Sequence, residues 1–126
     1  MAEPATVWLV GPSGIVTGGL DLEDRSLVIR EGDTVRARVL LDDVSRVRRL
    51  RATPVIELRR TRDGLEEVLM LYFATPPGGG AWHQETMGAP KGGLERAAGM
   101  LRLRAENRAM KPVVVGWERR IREALG

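Results

Sequence analysis

The most regular pattern in this chain is an alternation of apolar and polar side chains over residues 34–41. A period of two is typical of a β-strand with one buried face. Residues 26–30 form a second apolar run, and the turn residues Glu31, Gly32 and Asp33 separate the two runs, which predicts a β-hairpin. The apolar face of the longer strand is predicted to consist of Val35, Ala37, Val39 and Leu41.

Further strands are predicted on both sides of this hairpin. Residues 14–22 form an apolar run in which Gly18 and Gly19 indicate a bulge or a sharp bend. Residues 41–50 are compatible with a short turn that leads into an edge strand, and residues 54–60 and 66–74 are two more strands joined by the turn Asp63-Gly64. The last strand is apolar on both faces, so it is central in the sheet, covered by a helix, or part of an interface.

The end of the chain has a different composition. Proline and glycine dominate residues 75–93, which predicts a long loop with Trp82 and His83 in its middle. Helical spacing of apolar residues then predicts two helices, over residues 94–109 and 112–125, interrupted at Lys111-Pro112. The second helix is expected to pack on the sheet through an apolar line formed by Val113, Trp117, Ile121 and Leu125.

Together these elements predict one domain over residues 1–126, of the α+β class and mainly β. Strands over residues 5–74, about six or seven in number, recur about every ten residues with turns between them. That spacing favours an antiparallel curled sheet or a partly open barrel. One or two C-terminal helices follow the sheet.

This pattern resembles the bacterial pleckstrin-homology-like domains, including GRAM-like domains. The resemblance covers residues 15–75 and the terminal helix, and it implies a binding module of that fold. The segment that carries most of it is Gly19-Leu20-Asp21-Leu22-Glu23-Asp24-Arg25-Ser26-Leu27-Val28-Ile29, followed by the apolar and acidic step over residues 39–47.

Members of that family that bind phosphoinositides use basic residues around the turn between the first two strands. We interpret residues 21–25 as that turn. It carries three carboxylates and one arginine, so the sequence predicts that a phosphorylated headgroup does not bind there.

The positive charge of the chain is concentrated in part of the sheet. Residues 46–62 contain seven basic side chains, all arginine, and one acidic one. Such a cluster can bind phosphates or carboxylates, or it can be a solvated strand edge that discourages aggregation. Both interpretations stay open. The candidate anion-binding residues are Arg46, Arg48, Arg49, Arg59, Arg60 and Arg62.

The residues that most enzymes need are scarce. The chain has no cysteine and a single histidine, His83, so we predict no catalytic residues, no metal site and no cofactor. The absence of cysteine fits a reducing compartment, and a cytoplasmic location is the expectation. No stretch of the sequence is long and apolar enough to predict a transmembrane helix.

Two functional hypotheses remain. The first is a non-enzymatic binding or scaffold module that acts through contacts with another protein or with a second copy of itself. Its candidate interface residues are Tyr72, Trp82 and His83. The alternative is an anion-binding module that uses the arginines of residues 46–62 to contact a lipid headgroup at a membrane surface or a nucleic-acid backbone.

Overall fold

The computed structural model describes residues 5–76 and 93–126, with helix side chains described for residues 101 and 105–126. All neighbouring strands are antiparallel, in the order β4-β3-β2-β1-β7-β6-β5. This confirms the predicted mainly β fold with a C-terminal helix. The elements are β1 (Ala5–Gly11), β2 (Gly14–Glu23), β3 (Ser26–Glu31), β4 (Thr34–Leu40), β5 (Val44–Arg49), β6 (Val55–Arg62), β7 (Leu65–Tyr72) and α1 (Gly93–Leu125).

The sheet must curl strongly, because β4 and β5 are its two edges and are consecutive in the chain. A 3-10 turn of three residues, Leu41–Asp43, connects them. In a flat sheet, six strand spacings would separate the edges by about 29 Å, whereas three residues span at most about 11 Å. The sheet therefore bends back on itself but remains open, since β4 and β5 do not pair with each other.

Hairpin turns define two ends of this curled sheet. The turns β1–β2, β3–β4 and β6–β7 lie at one end, which we call the open end. The β2–β3 and β5–β6 turns lie at the other, the helix end. Asp24 and Arg25 form the β2–β3 turn with φ of 48° and 58°, and Asp63 and Gly64 form the β6–β7 turn with φ of 53° and 77°. Positive φ at both central residues is typical of the type I′ turns that match strand twist.

The core fills the inner face of the sheet and is completed by α1. Val114, Trp117 and Ile121 of the helix are each at most 1% exposed. They pack against inner-face residues of the strands, among them Val7, Ile29 and Leu58. The predicted contact line is confirmed: Trp117 and Ile121 are buried, and Val113 and Leu125 are partly buried and pack against the core. It missed Val114, which is more buried than Val113, because a helix repeats every 3.6 residues rather than every four.

Two local features differ from the sequence prediction. First, α1 is continuous through Pro112, whereas two helices were predicted. A proline removes one backbone hydrogen bond, and the packing of residues on both sides of Pro112, Met110 and Val114, supports the helix across it. Second, Val35 is 40% exposed, because the β3–β4 register shifts between Ile29 and Arg30 and breaks the alternation there.

The same irregularity explains one of the paired glycines. A β-carbon on Gly18 would lie against the backbone carbonyl of Arg30, at the point where β3 shifts its register, whereas one on Gly19 would only touch that oxygen at 3.9 Å. The predicted bend therefore appears as a close approach of two strands, for which Gly18 is required.

The strand β7 lies between β1 and β6, so the first of the three alternatives for its two apolar faces, a central position in the sheet, is the one observed. Its outer face contributes Tyr72 to a second, smaller apolar cluster with Val10 and Val55. Half-buried Trp8 and Met70 pack against that cluster. The sheet is thus apolar on parts of both faces.

Candidate functional site

A cleft of about 440 Å³ opens into the curled sheet at its open end. One wall comes from β4 and another from β6, while the β1–β2 turn, Pro12 and Ser13, borders it. Among the described residues that line it are four arginines and one glutamate. The charged lining residues are Arg36 and Arg38 of β4, Arg60 and Arg62 of β6, and Glu67 of β7.

Strand register places the charges of β6 and β7 inside the curl, whereas Arg38 of β4 lies on the face opposite to the core residues Ala37 and Val39. Leu58, Arg60 and Arg62 alternate along β6 on its inner face, and Glu67 pairs with Arg60 across the β6–β7 ladder. Toward the helix end the same face is apolar and fully buried, as at Leu58. The inner face therefore changes from apolar to charged over a single step of the strand.

One pair of charges is neutralised within the cleft. The Nε of Arg60 donates a hydrogen bond of 2.9 Å to Oε2 of Glu67, and Nη2 of the same guanidinium lies 2.9 Å from that oxygen. The Arg60 side chain is only 13% exposed. This ion pair lies at the wall of the cleft and supports it.

The other three arginines are weakly compensated. Arg36 lies 3.7 Å from Glu31, and both side chains are more than half exposed. Neither Arg38 nor Arg62 makes an ion pair with any carboxylate among the described residues. The cleft therefore has a positive field with unpaired guanidinium groups, which are suited to bind carboxylates or phosphates through two parallel hydrogen bonds.

The six arginines predicted from sequence do not form one site. Arg60 and Arg62 line the cleft, whereas Arg46, Arg48 and Arg59 belong to the outer face of β5 and β6. The structure thus divides the predicted cluster between two faces of the sheet. Side chains alternate between the two faces along each strand, which places neighbouring arginines on opposite faces. The sequence alone did not show how β5 and β6 pair, so this division could not be predicted.

The outer-face arginines neutralise a buried carboxylate. Glu57 is 5% exposed and accepts hydrogen bonds from Arg48 at 3.1 Å and Arg59 at 3.2 Å. Burial raises the pKa of Glu57, but the hydrogen bonds from Arg59 and Arg48 and their charges outweigh it and hold the pKa below the usual 4.5. Arg59 also contacts Glu66 at 3.4 Å. These arginines are mainly counterions of the sheet.

Arg49 is on the inner side of β5, next to the helix. Its backbone N–H donates to Oε2 of Glu118 at 3.1 Å, and its Nη1 is buried without a hydrogen-bond partner. Arg49 is therefore separated from Arg48 by the thickness of the sheet, and it does not contribute to the cleft.

A second groove of about 520 Å³ runs between β5 and the end of α1. Two of its arginines are already engaged: Arg48 with Glu57, and Arg122 with Glu118 and the carbonyl of Val47. The groove offers less free positive charge than the open-end cleft. Its lining residues are Ser45, Arg46, Val47, Arg48, Arg122, Leu125 and Gly126.

The sequence interpretation of the acidic turn was wrong. The first two strands are joined by Pro12 and Ser13, and the acidic residues 21–25 lie around the turn between β2 and β3, at the helix end. There Arg25 bonds to Asp42 at 3.0 Å and to the carbonyl of Ala124 at 2.8 Å. The turn that borders the cleft carries no acidic residue.

The predicted interface residues have separate outcomes. Tyr72 is 2% exposed, and burial raises the pKa of its hydroxyl to about 12. Its ring therefore presents almost no surface to a partner in this structure. Trp82 and His83 lie outside the described residues.

Residues 5–76 and 93–126 contain neither a candidate metal site nor a candidate transmembrane helix. No group of three or more acidic or histidine side chains there could hold a metal ion. No helix in the described part of the chain combines the length and the hydropathy needed to cross a bilayer.

Comparisons with protein-family models, with curated proteins and with solved structures give no match for this chain. The resemblance to pleckstrin-homology-like domains therefore stays a prediction from the sequence. Any function must be argued from the geometry of the cleft and its charges.

Proposed function

We propose that this chain is a non-enzymatic binding module that holds a multivalent anion in the open-end cleft. The observation that carries the proposal is the convergence of Arg36, Arg38, Arg60 and Arg62 on one cleft with a single glutamate among its described lining residues. This modifies the arginine hypothesis made from sequence, because two of its six residues are retained and two arginines of β4 join them.

The arrangement favours a ligand with more than one negative group. The weakly compensated cations lie on opposite walls, Arg36 and Arg38 on β4 and Arg62 on β6, while Arg60 is already paired with Glu67. A ligand with one small anionic group would leave one wall uncompensated. A ligand with two or more carboxylates or phosphates would contact both walls at once and would therefore bind more tightly.

The fold is compatible with the binding role that a resemblance to pleckstrin-homology-like domains implies. A curled sheet of seven antiparallel strands, left open between its edges and covered at one end by a terminal helix, agrees with a pleckstrin-homology-like domain. Fold likeness does not specify a ligand, so the proposal depends on the cleft.

Titration calorimetry with inorganic tripolyphosphate, at constant ionic strength, tests this proposal. The double variant Arg36→Glu/Arg62→Glu is expected to weaken binding at least tenfold, which corresponds to about 1.4 kcal/mol. The matched control is Arg51→Glu/Arg119→Glu, which makes the same change in net charge at two exposed positions outside the cleft. Equal weakening in both variants would mean that only net charge matters and would refute the cleft.

A protein contact through the outer face is the second candidate function. Ile15 and Val68 are 40% and 37% exposed there, next to half-buried Trp8 and Met70. These four side chains make an apolar surface across β2, β1 and β7 that a second copy of the chain could cover. Light scattering that shows a clean monomer at high micromolar concentration would remove this candidate.

A further inference from the structure

The two edge strands of the sheet, β4 and β5, differ in the hydrogen bonds that their outward backbone groups make. At β5, side chains of α1 take the place of a partner strand. Arg122 Nη2 donates to the carbonyl of Val47 at 2.8 Å, and the N–H of Arg49 donates to Oε2 of Glu118 at 3.1 Å. This edge is therefore occupied by the helix, and a further strand could pair there only by displacing those side chains.

At β4 the outward backbone groups can be identified from one hydrogen bond. The N–H of Leu41 donates to the carbonyl of Arg25 at 2.9 Å, so it points toward β3. In an antiparallel ladder this direction alternates. The N–H of Val39 therefore also points toward β3, while the N–H and the carbonyl of Arg38 point away. Outside the β3–β4 ladder, no backbone hydrogen bond from Thr34–Leu40 to a described residue is present.

This edge, to which no described residue outside the β3–β4 ladder makes a backbone hydrogen bond, forms one side of the cleft. Four consecutive residues, 36–39, line it, although the side chains of consecutive residues in a strand alternate between its two faces. A cleft lined by residues of both faces meets the strand along its edge. A chain that lay in the cleft beside β4 would thus reach the outward backbone groups of Arg38, with Arg62 across from it.

The positive charge of the β4 edge favours pairing with some strands and disfavours pairing with others. Two copies of β4 joined in antiparallel fashion about Arg36, Ala37 or Arg38 would set arginine directly opposite arginine, which is unfavourable. A strand with carboxylates would instead find guanidinium groups on both walls. Apolar side chains also flank the arginines, since Val35 and Leu40 are 40% and 48% exposed.

We propose that the anion bound in the cleft is an acidic, extended peptide segment of a partner protein, added as an extra strand to the free edge of β4. This inference rests on the proposed function, because it assigns a ligand class to the same cleft. The register shift near Arg36 limits regular pairing to residues 37–40, so the segment is short. Its carboxylates provide the charge, and its backbone provides the N–H donors and carbonyl acceptors of a strand, whereas phosphate offers acceptors alone.

The probe is an eight-residue acetylated and amidated peptide of alternating glutamate and valine, followed by fluorescence anisotropy of a terminal dye. The informative variants are Arg38→Pro and Arg38→Ala. Both remove the guanidinium, and only the proline removes the outward N–H, at an edge position where proline leaves the β3 ladder intact. Arg38→Pro is expected to bind the peptide about tenfold more weakly than Arg38→Ala.

Two further binding measurements distinguish loss of the backbone hydrogen bond from other causes of weak binding. Tripolyphosphate should bind Arg38→Pro and Arg38→Ala equally well, because it does not use the N–H. The peptide N-methylated at every residue should bind the unaltered chain about tenfold more weakly than the plain peptide. This measurement decides the question if Arg38→Pro does not fold.

Strand pairing and anion binding in the cleft would be refuted by different results. If the plain and N-methylated peptides bind alike, while Arg36→Glu/Arg62→Glu still weakens both peptide and tripolyphosphate, the cleft binds anions but strand pairing is refuted. If the charge reversal leaves both ligands unaffected, the proposed function fails together with the inference. Stronger binding of vesicles with phosphorylated lipids than of the peptide would point to a membrane ligand instead and would overturn the peptide assignment.

Discussion

The two ends of the curled sheet are built from the same strands and finished in opposite ways. At the helix end, Trp117 and Ile121 fill the inner face and are at most 1% exposed. At the open end, the inner face of the same strands carries Arg60, Arg62 and Glu67 around a cleft of about 440 Å³. One end buries apolar area and stabilises the fold, and the other leaves charged groups accessible to a ligand.

The arginines of this chain have at least two roles. Arg48 and Arg59 compensate Glu57 and belong to the stability of the sheet. Arg36 and Arg62 have weak or no compensation from described carboxylates and belong to the cleft. Stability and binding should therefore respond to different substitutions.

Trp117→Ala is expected to reduce the free energy of unfolding by about 3–5 kcal/mol, because it leaves a large cavity between α1 and the sheet. Urea unfolding followed by circular dichroism measures the loss. The control is Arg119→Ala, at an exposed position of the same helix, which should change stability by less than about 0.5 kcal/mol.

Substitutions at the helix end and at the open end should also differ in their effects on ligand binding. The Trp117→Ala protein that remains folded should bind tripolyphosphate as the unaltered chain does, while Arg36→Glu/Arg62→Glu should keep its unfolding midpoint. A large loss of affinity in the folded Trp117→Ala protein would show that the helix end shapes the cleft.

Gly18→Ala is expected to destabilise the fold by about 2 kcal/mol, since the new methyl group would overlap the backbone carbonyl of Arg30. Gly19→Ala is the matched control in the same strand, because its methyl group would make only an ordinary contact at 3.9 Å. Thermal unfolding of both variants measures the difference. Equal midpoints would mean that β3 moves aside without cost.

Glu57→Gln is expected to have the smallest effect, about 1 kcal/mol at pH 7, because Arg48 and Arg59 are partly exposed. The pKa of Glu57 is lower in the folded chain than its usual 4.5. The ionised carboxylate therefore contributes stability above pH 4.5, and the contribution is lost as the pH falls from 4.5 through the lowered folded value.

Urea unfolding at several pH values from 7 to 3 measures this contribution. The difference in stability between the unaltered chain and Glu57→Gln should shrink over the acidic part of that range. A difference that stays constant with pH would show that the ion pairs on the outer face do not depend on the charge of Glu57.

Much of the local structure could be predicted from the sequence because it depends on neighbours in the chain. Period-two alternation located the hairpin of β3 and β4, and Asp63-Gly64 located the β6–β7 turn through its need for positive φ. The helix was predicted from the spacing of Trp117 and Ile121. Its continuity through Pro112 was not, because packing on both sides of a proline outweighs its local cost.

The candidate site was predicted only in part. Arg60 and Arg62 were among the arginines selected, since their charge is visible in the sequence. The sequence pattern assigned Arg36 and Arg38 only to the polar positions of a strand. They precede Arg60 and Arg62 by more than twenty residues. Nothing local indicates that β4 and β6 approach each other.

Hydrophobic period, turn chemistry and charge are properties of neighbouring residues, so the strands, the fold class and the excess of arginine can be recognised in the chain alone. Which arginines meet depends on the three-dimensional arrangement of the strands. Strand order and curl bring β4 beside β6, and the side of the strand decides whether an arginine faces the cleft or a buried glutamate. Those relations depend on contacts between distant segments, which no local pattern records.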